Sequence, residues 1–280
     1  MNVILPEKPK IINRRNVAYL TIFVVCTVAI AIAMYQFFSD EKLGVIVGIT
    51  ENENEEYDIL KTEFYNLFTN KLEVDEQIQN IKKVEQDEEI VYTSYEKEEK
   101  SLNNYTIDVK LPCINIDNNL TKGYNDDIKK NFQKPAEDIM RTEGRNIIYT
   151  VNYMACVEND ILSIAILSSF KDGNNTQRTI LKTYNYNISS NKEATIKDCI
   201  GIKGINENTL ENKIRTEIEK SQQQAEQLKE LGYDIFARDV NDEMYRTNNI
   251  KNFILYKGYI YIVFPYGNRN DTSEVDIVIL

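Results

Sequence analysis

The sequence predicts an α+β fold, an antiparallel sheet with packed helices, preceded by a single N-terminal transmembrane helix. Three observations carry this. An apolar run that opens at Val17 and ends at Phe38 holds 22 residues without a charge, just long enough to cross the ~30 Å hydrocarbon core as a helix. Alternating apolar residues between 149 and 188 read as three successive strands with short turns. Apolar residues at helical spacing recur near 57–68, 124–140 and 210–228.

The order of the chain gives five segments: a basic tail (1–16), the transmembrane helix (17–38), a stalk (39–56), and two parts of one outer region, 57–145 and 146–280. The tail carries Lys8, Lys10, Arg14 and Arg15 against Glu7, a net of +3. Removing these from the chain's 33 basic and 44 acidic residues leaves 29 against 43 beyond the anchor, a net of −14. Positive charge before the run, with Asp40 and Glu41 after it, places the N-terminus in the cytoplasm and the bulk outside. The chain is thus expected to be a single-pass protein of the cell membrane. A cleaved signal peptide is the rival reading, since Ala29-Ile30-Ala31 and Ala31-Ile32-Ala33 offer small-residue pairs; the length of the run and its Phe37-Phe38 end favour an uncleaved anchor.

In the outer region, Tyr57, Leu60, Phe64, Leu67 and Phe68 form one apolar stripe of a helix expected to pack on the domain that follows. Residues 90–95 and 105–111 read as strands, the second ended by Pro112. Tyr124, Ile128 and Phe132 form a helical stripe broken at Pro135, which can open a second turn carrying Ala136, Ile139 and Met140 and closed by Gly144. The meander follows: Tyr149, Val151, Tyr153, Ala155 and Val157 on one face, then Leu162, Ile164 and Ile166, then Ile180, Tyr184 and Tyr186. Asn208 and Glu211 have capping-box spacing before Leu210, Ile214, Ile218, Ala225 and Leu228, and Gly232 is the expected C-terminal stop. Residues 253–256 and 259–264 form a hairpin around Lys257-Gly258, and 274–280 a last strand with Val275, Ile277 and Ile279 on one face.

The chemistry is limited by one absence. There is no histidine, so a Ser-His-Asp triad, a Cys-His dyad and an imidazole metal ligand are excluded. Asp126-Asp127 and Glu88-Glu89 are carboxylate neighbours of a kind expected by chance among 44 acidic residues. Asp172-Gly173-Asn174-Asn175 lacks the alternating ligands and distal glutamate of a calcium loop and reads as a turn. No phosphate-cradling glycine motif occurs. No catalytic, metal or cofactor-binding residue is assigned, and no cofactor is expected. Cys113, Cys156 and Cys199 remain beyond the anchor, as one disulfide plus a thiol or as three thiols. Tyr256, Tyr259, Tyr261 and Tyr266 gather near the C-terminus, as strand residues or as a contact surface for sugar or protein. The acidic outer region disfavours nucleic acid and would attract a basic partner.

Further residues carry a family likeness: Ile107-Asp108-Val109-Lys110-Leu111-Pro112, the run from Tyr149 to Ser163, Thr183-Tyr184-Asn185-Tyr186-Asn187, Thr195-Ile196-Lys197-Asp198 and Phe264-Pro265-Tyr266. Residues 105–280 resemble the paired extracytoplasmic domains of unknown function in lysozyme-sensing anti-sigma factors of Gram-positive bacteria. The same pair precedes the catalytic domain of certain peptidoglycan deacetylases. Where relatives often carry a glycine-alanine-histidine turn, this chain has Asp172-Gly173-Asn174-Asn175. Sixteen tail residues are too few for a sigma-binding domain, and no deacetylase domain follows residue 280, so the chain is expected to be the sensor half alone. The resemblance implies a membrane-anchored extracytoplasmic sensor, not an enzyme, whose ligand is an extracellular protein of lysozyme type or a cell-wall component such as peptidoglycan. The alternatives are an anti-sigma-like regulator acting through a membrane partner, and an accessory domain for cell-wall carbohydrate modification.

Overall fold

Strict alternation of apolar residues makes residues 147–187 a meander. In the computed structural model, which describes residues 55–74, 81–233, 235–267 and 272–280, strands β4 (Ile147–Glu158), β5 (Ile161–Asp172) and β6 (Arg178–Asn187) pair antiparallel in sequence order. The β4–β5 turn puts Asn159 and Asp160 at φ +50° and +60°, the backbone a two-residue hairpin requires. The apolar run 17–38, the tail and stalk residues 39–54 lie outside the described residues. No helix among the described residues is long and apolar enough to cross a membrane.

Among the described residues, ten strands form one sheet. β1 (Leu72–Val74), β2 (Val91–Ser101) and β3 (Tyr105–Ile114) precede the meander, and β7 (Lys192–Glu193), β8 (Phe253–Tyr256), β9 (Tyr259–Gly267) and β10 (Thr272–Ile279) follow it. The path runs β2-β3-β4-β5-β6-β10-β9-β8, with β1 added to β4 and β7 to β6. The sheet is α+β in type and mostly antiparallel, with two parallel pairs that depart from expectation. β3 pairs with residues 147–151 of β4, and β1 with residues 155–157 of the same strand. Parallel neighbours need a crossover, and residues 119–139 supply it as helix α2 (Asn119–Ile128), a π-turn (Lys129–Gln133) and helix α3 (Lys134–Ile139).

Of the two prolines, Pro112 and Pro135, one departs from expectation. Pro112 does not end β3. It lies opposite Thr93, where the register of β2 shifts, and a bulge tolerates a residue with no N–H to donate. Pro135 opens a second helix as expected, with a π-turn rather than a break before it. It sits in the first turn of α3, just beyond the π-turn, where Lys134 N–H reaches back to Lys129 O. That helix stops at Ile139, and Gly144 (φ +69°) instead shapes the approach to β4, its N–H donating to Asn104 Oδ1 at 2.8 Å.

The sheet is buried on both faces. On one, Tyr149, Val151, Tyr153, Leu162, Ile164 and Tyr184 pack with Ile128, Phe132 and Ala136 from the crossover helices. On the other, Met154, Cys156, Ala165 and Leu181 meet Ile254, Tyr261, Val263 and Ile277 from β8–β10. The sheet has therefore folded over so that its last strands cover its middle. Helix α1 (Glu55–Glu63) with its 3-10 extension (Phe64–Leu67) adds Phe64 and Phe68 to this second layer. Tyr57 OH donates to Ile277 O at 3.1 Å. Nearby Glu217 is almost buried; burial alone would raise its carboxyl, but Lys220 and Lys213 outweigh it and hold it below the usual carboxylate range.

The outward face of β8–β10 is covered in turn. Helix α4 (Ile196–Ile202) and helix α5 (Glu207–Glu230) place Cys199, Ile200, Leu210, Ile214 and Ile218 against Phe253, Leu255, Ile262 and Phe264. The cap of α5 is Asn206 rather than Asn208, its side chain accepting from Thr209 N at 2.9 Å. Glu211 accordingly faces another partner, accepting from Thr247 N at 3.0 Å. A reciprocal capping box exists one helix earlier, between Thr195 and Asp198.

Fold-over leaves β8 with one edge paired to β9 and one edge against the sheet face. Side chains answer all four outward backbone groups of Phe253 and Leu255. Phe253 N donates to Thr183 Oγ1 at 3.2 Å, and Asn185 Nδ2 donates to Phe253 O at 3.0 Å. Leu255 N donates to Ser163 Oγ at 3.2 Å, and Cys156 Sγ donates to Leu255 O at 3.1 Å. Unanswered groups here would be costly. Thr183→Val is expected to destabilise the protein by about 1–3 kcal/mol, the penalty for orphaning a buried donor, while Thr183→Ser stays near wild type. Thermal unfolding of both variants checks this; equal stability for valine and threonine would show that the ladder contributes nothing.

Candidate binding surfaces

Helix α5 ends because Gly232 adopts φ +91°, where side chains are strained. Gly232 N donates to Lys229 O at 3.0 Å, and Tyr233 N to Leu228 O at 3.1 Å, closing the last turn. The chain then returns along β10. Phe236 N donates to Glu274 Oε1 at 3.0 Å. Arg238, 9% exposed, grips Asp276 through Nε (3.1 Å) and Nη2 (3.2 Å) and Glu274 through Nη1 (2.8 Å). Tyr266 OH donates to the same Asp276 at 2.8 Å and shares a 2.7 Å hydrogen bond with Tyr245 OH. The guanidinium carbon lies 4.5 Å from the centre of the Tyr266 ring. Burial would lower the Arg238 pKa, but Asp276 and Glu274 outweigh it and raise it further. Burial, then Asp276, pushes the Tyr266 phenol far up, so it stays a donor.

This anchored return leaves apolar side chains in solvent. Leu228, Leu231, Tyr233 and Phe236 are 40%, 75%, 61% and 44% exposed. Leu228 and Ile235 line a cleft of about 410 Å³, with Lys61 of α1 and Arg238 on its other walls. Exposed Glu226, Glu230 and Asp239 stand close to them in the chain, against Lys229. The result is an exposed apolar stretch with acidic residues beside it in the chain.

A second cleft, of about 300 Å³, opens where β6 meets the chain before β8. Thr183, Tyr184 and Asn185 line it from β6, Tyr124 from α2, Glu193 to Lys197 from β7 and the start of α4, and Thr247, Asn248 and Lys251 from the far side. The Tyr124 and Tyr184 rings lie 5.2 Å apart at 54°. Tyr184 OH donates to Asp127 Oδ2 at 2.8 Å, and Lys182 pairs with the same carboxylate. Burial would raise the Asp127 carboxyl, but Lys182, Tyr184 and Asn131 together hold it lower. Tyr124 OH donates to Asn185 O at 3.2 Å.

Residues singled out in the sequence fall elsewhere. Tyr256, Tyr261 and Tyr266 are buried, so the C-terminal tyrosines are not an exposed platform. They also divide between the two faces of their strands, Tyr256 and Tyr261 toward the sheet and Tyr266 toward the helices. Asp126, Glu88 and Glu89 are exposed, and only Asp127 reaches a cleft wall, through Tyr184. Asp172 lies at the end of β5 and pairs with Arg145, and Gly173 (φ +55°) makes the hairpin turn. Among the described residues no cluster of acidic and thiol side chains is suited to a metal. Cys113 and Cys199 are free thiols, and burial pushes Cys199 up to about 12. Sequence reasoning passed over Arg238, a single cation whose partners lie 36 and 38 positions away, and Asn185, whose alternation slot reads as solvent-facing.

Arg238→Met is expected to destabilise the protein by about 3–5 kcal/mol, because it strands Asp276 without its buried cation. Unfolding midpoints check this, and a loss near zero would mean that the return loop is held by its apolar contacts alone. No protein-family model matches the chain, and no curated protein does. Two of the solved structures similar to it are a DUF3298 family member from Bacteroides fragilis and a DUF3298 family protein from Pseudomonas aeruginosa. The first is 14% identical, covering 63% of this chain and 80% of its own, with a TM-score of 0.34. The second is 10% identical, covering 64% and 82%, also with a TM-score of 0.34.

Proposed function

We propose that the protein is a membrane-anchored, extracytoplasmic binding protein without catalytic activity of its own, whose ligand is a basic extracellular protein of lysozyme type. The observation that carries this reading is the exposed apolar stretch at the end of α5, flanked in the chain by acidic residues, with Leu231 and Tyr233 its most exposed members. Protein interfaces place an apolar, aromatic-rich centre inside a polar rim. The anchor reading of residues 17–38 and the net charge of −14 beyond it support the same conclusion. A non-catalytic role is supported by a chain without histidine.

The two parts of this surface have separable signatures. The acidic net charge steers association and is screened by salt, whereas the apolar stretch sets how long the complex lasts. Full-length protein in detergent micelles is expected to capture immobilised hen lysozyme, more weakly at high salt than at low. Leu231→Asp together with Phe236→Ser is expected to weaken capture by about tenfold or more, as loss of a central contact does. Capture indifferent to both salt and these substitutions would place the interface elsewhere, and no capture at all would remove lysozyme as the ligand.

A further inference from the structure

We propose that the outer edge of β2 is a dimerisation surface, on which β2 of a second copy of this chain pairs antiparallel about a two-fold axis at Glu98. It uses none of the residues at the end of α5, so it stands or falls independently of the protein-binding reading.

The first observation is an open edge. β2 ends the sheet path, and β3 is its neighbour on one side only. Their hairpin closes with Ser101 opposite Tyr105 across Leu102-Asn103-Asn104. A loop that short leaves these two residues to exchange their N–H···O bonds directly. Alternation along an antiparallel pair then turns the backbone groups of Glu99 and Lys97 toward β3, and those of Glu96, Glu98 and Lys100 away from it. Among the described residues no group answers these outward N–H and C=O groups, in contrast to the edge of β8. From Tyr95 to Ser101 the strand runs without a register shift, so the open edge is regular.

The second observation decides the occupant. Charged side chains on an edge ordinarily keep a second strand away, so the outcome depends on what stands opposite them. A two-fold axis perpendicular to the sheet sets each residue against one on the same face, which makes the registers countable. With Glu98 on the axis, Lys97 faces Glu99 of the second copy and Glu96 faces its Lys100. Each pair occurs twice by symmetry, against a single contact of Glu98 with itself. Moving the axis to Lys97 sets Glu96 against Glu98, moving it to Glu96 leaves no opposite pair, and moving it to Glu99 keeps only Glu98 with Lys100. The strand is therefore self-complementary in one register. A strand of a single charge sign would meet its own sign at Lys97 and Lys100 or at Glu96 and Glu99.

The charges are also held ready. Lys97 pairs with Glu99 of its own strand at 2.6 Å, and Glu96 with Lys110 of β3 at 3.2 Å. Glu99 accepts a further hydrogen bond from Tyr105 OH at 2.6 Å. All four side chains remain at least one-third exposed, so a second strand extends each pair into a network rather than displacing it.

Sedimentation equilibrium of the full-length protein in micelles, over a concentration series at low and high salt, tests this, with the unfolding temperature of each variant measured beside it. The wild type is expected to associate reversibly to a dimer, more weakly at high salt. Lys97→Glu makes both Lys97–Glu99 pairs repulsive and is expected to weaken association about tenfold or more. Adding Glu99→Lys restores opposite charge with the signs exchanged and is expected to bring association back, a rescue that a merely damaged strand would not show. Glu98→Gln removes the like pair on the axis and is expected to strengthen association about two- to fivefold. A wild type that stays monomeric at every concentration would overturn the pairing. So would a dimer indifferent to Lys97→Glu, or a double variant that associates no better than the single one.

Discussion

A strand edge laid against the face of its own sheet must find partners for every outward N–H and C=O. In this protein β8 is that strand, and Ser163, Thr183, Asn185 and Cys156 are the partners. They come from three consecutive strands, so they fix β8 across the meander rather than along it. Once β8 is placed, β9 and β10 follow by antiparallel pairing, and β10 returns to β6. The second apolar layer, with Met154, Leu181, Ile254 and Val263, closes only in this arrangement. Helices α4 and α5 then have a surface to cover, which is the far face of the same three strands.

Both candidate surfaces inherit their geometry from that constraint. Asn185 serves the ladder with its Nδ2, and the same residue lines the cleft beside Tyr124 and Tyr184. Arg238 works from the opposite end of the fold-over. Its two carboxylate partners stand on β10, so the loop after α5 is tied to the strand that β8 and β9 have positioned. The apolar residues that the loop exposes are therefore displayed from a held backbone rather than from a free tail. One polar residue in the ladder and one buried cation convert a packing solution into two shaped surfaces.

Much of the fold was legible in the sequence wherever the signal was local. Alternation identified the meander, Asn159-Asp160 and Lys257-Gly258 marked tight turns, and Gly232 marked the end of α5, because each depends on neighbours within a few positions. The fold-over was not legible. Ser163, Thr183 and Asn185 occupy the slots opposite Leu162, Tyr184 and Tyr186, where polar residues ordinarily meet water. The same alternation describes a solvent-facing row and a row that binds a strand edge, and only tertiary structure separates them. The parallel β3–β4 pair was hidden for a similar reason, since a crossover helix and a packed helix share one periodicity. Asn208 was preferred to Asn206 as a cap because Glu211 stood three positions on, yet Glu211 serves the distant Thr247. The candidate surfaces were least legible, because Arg238 with Asp276, and Asn185 with Phe253, join residues far apart in the chain.

Side chains stand in for a missing strand along the outward edge of β8. Amide hydrogen exchange at Phe253 and Leu255 measures this directly, since neither N–H has a backbone acceptor and both are expected to be held by Thr183 and Ser163. Protection at the level of the sheet interior, similar to that of Ile254 and Tyr256, is the predicted result. Exchange as fast as that of an open sheet edge, with Ile254 and Tyr256 still protected, would contradict the ladder.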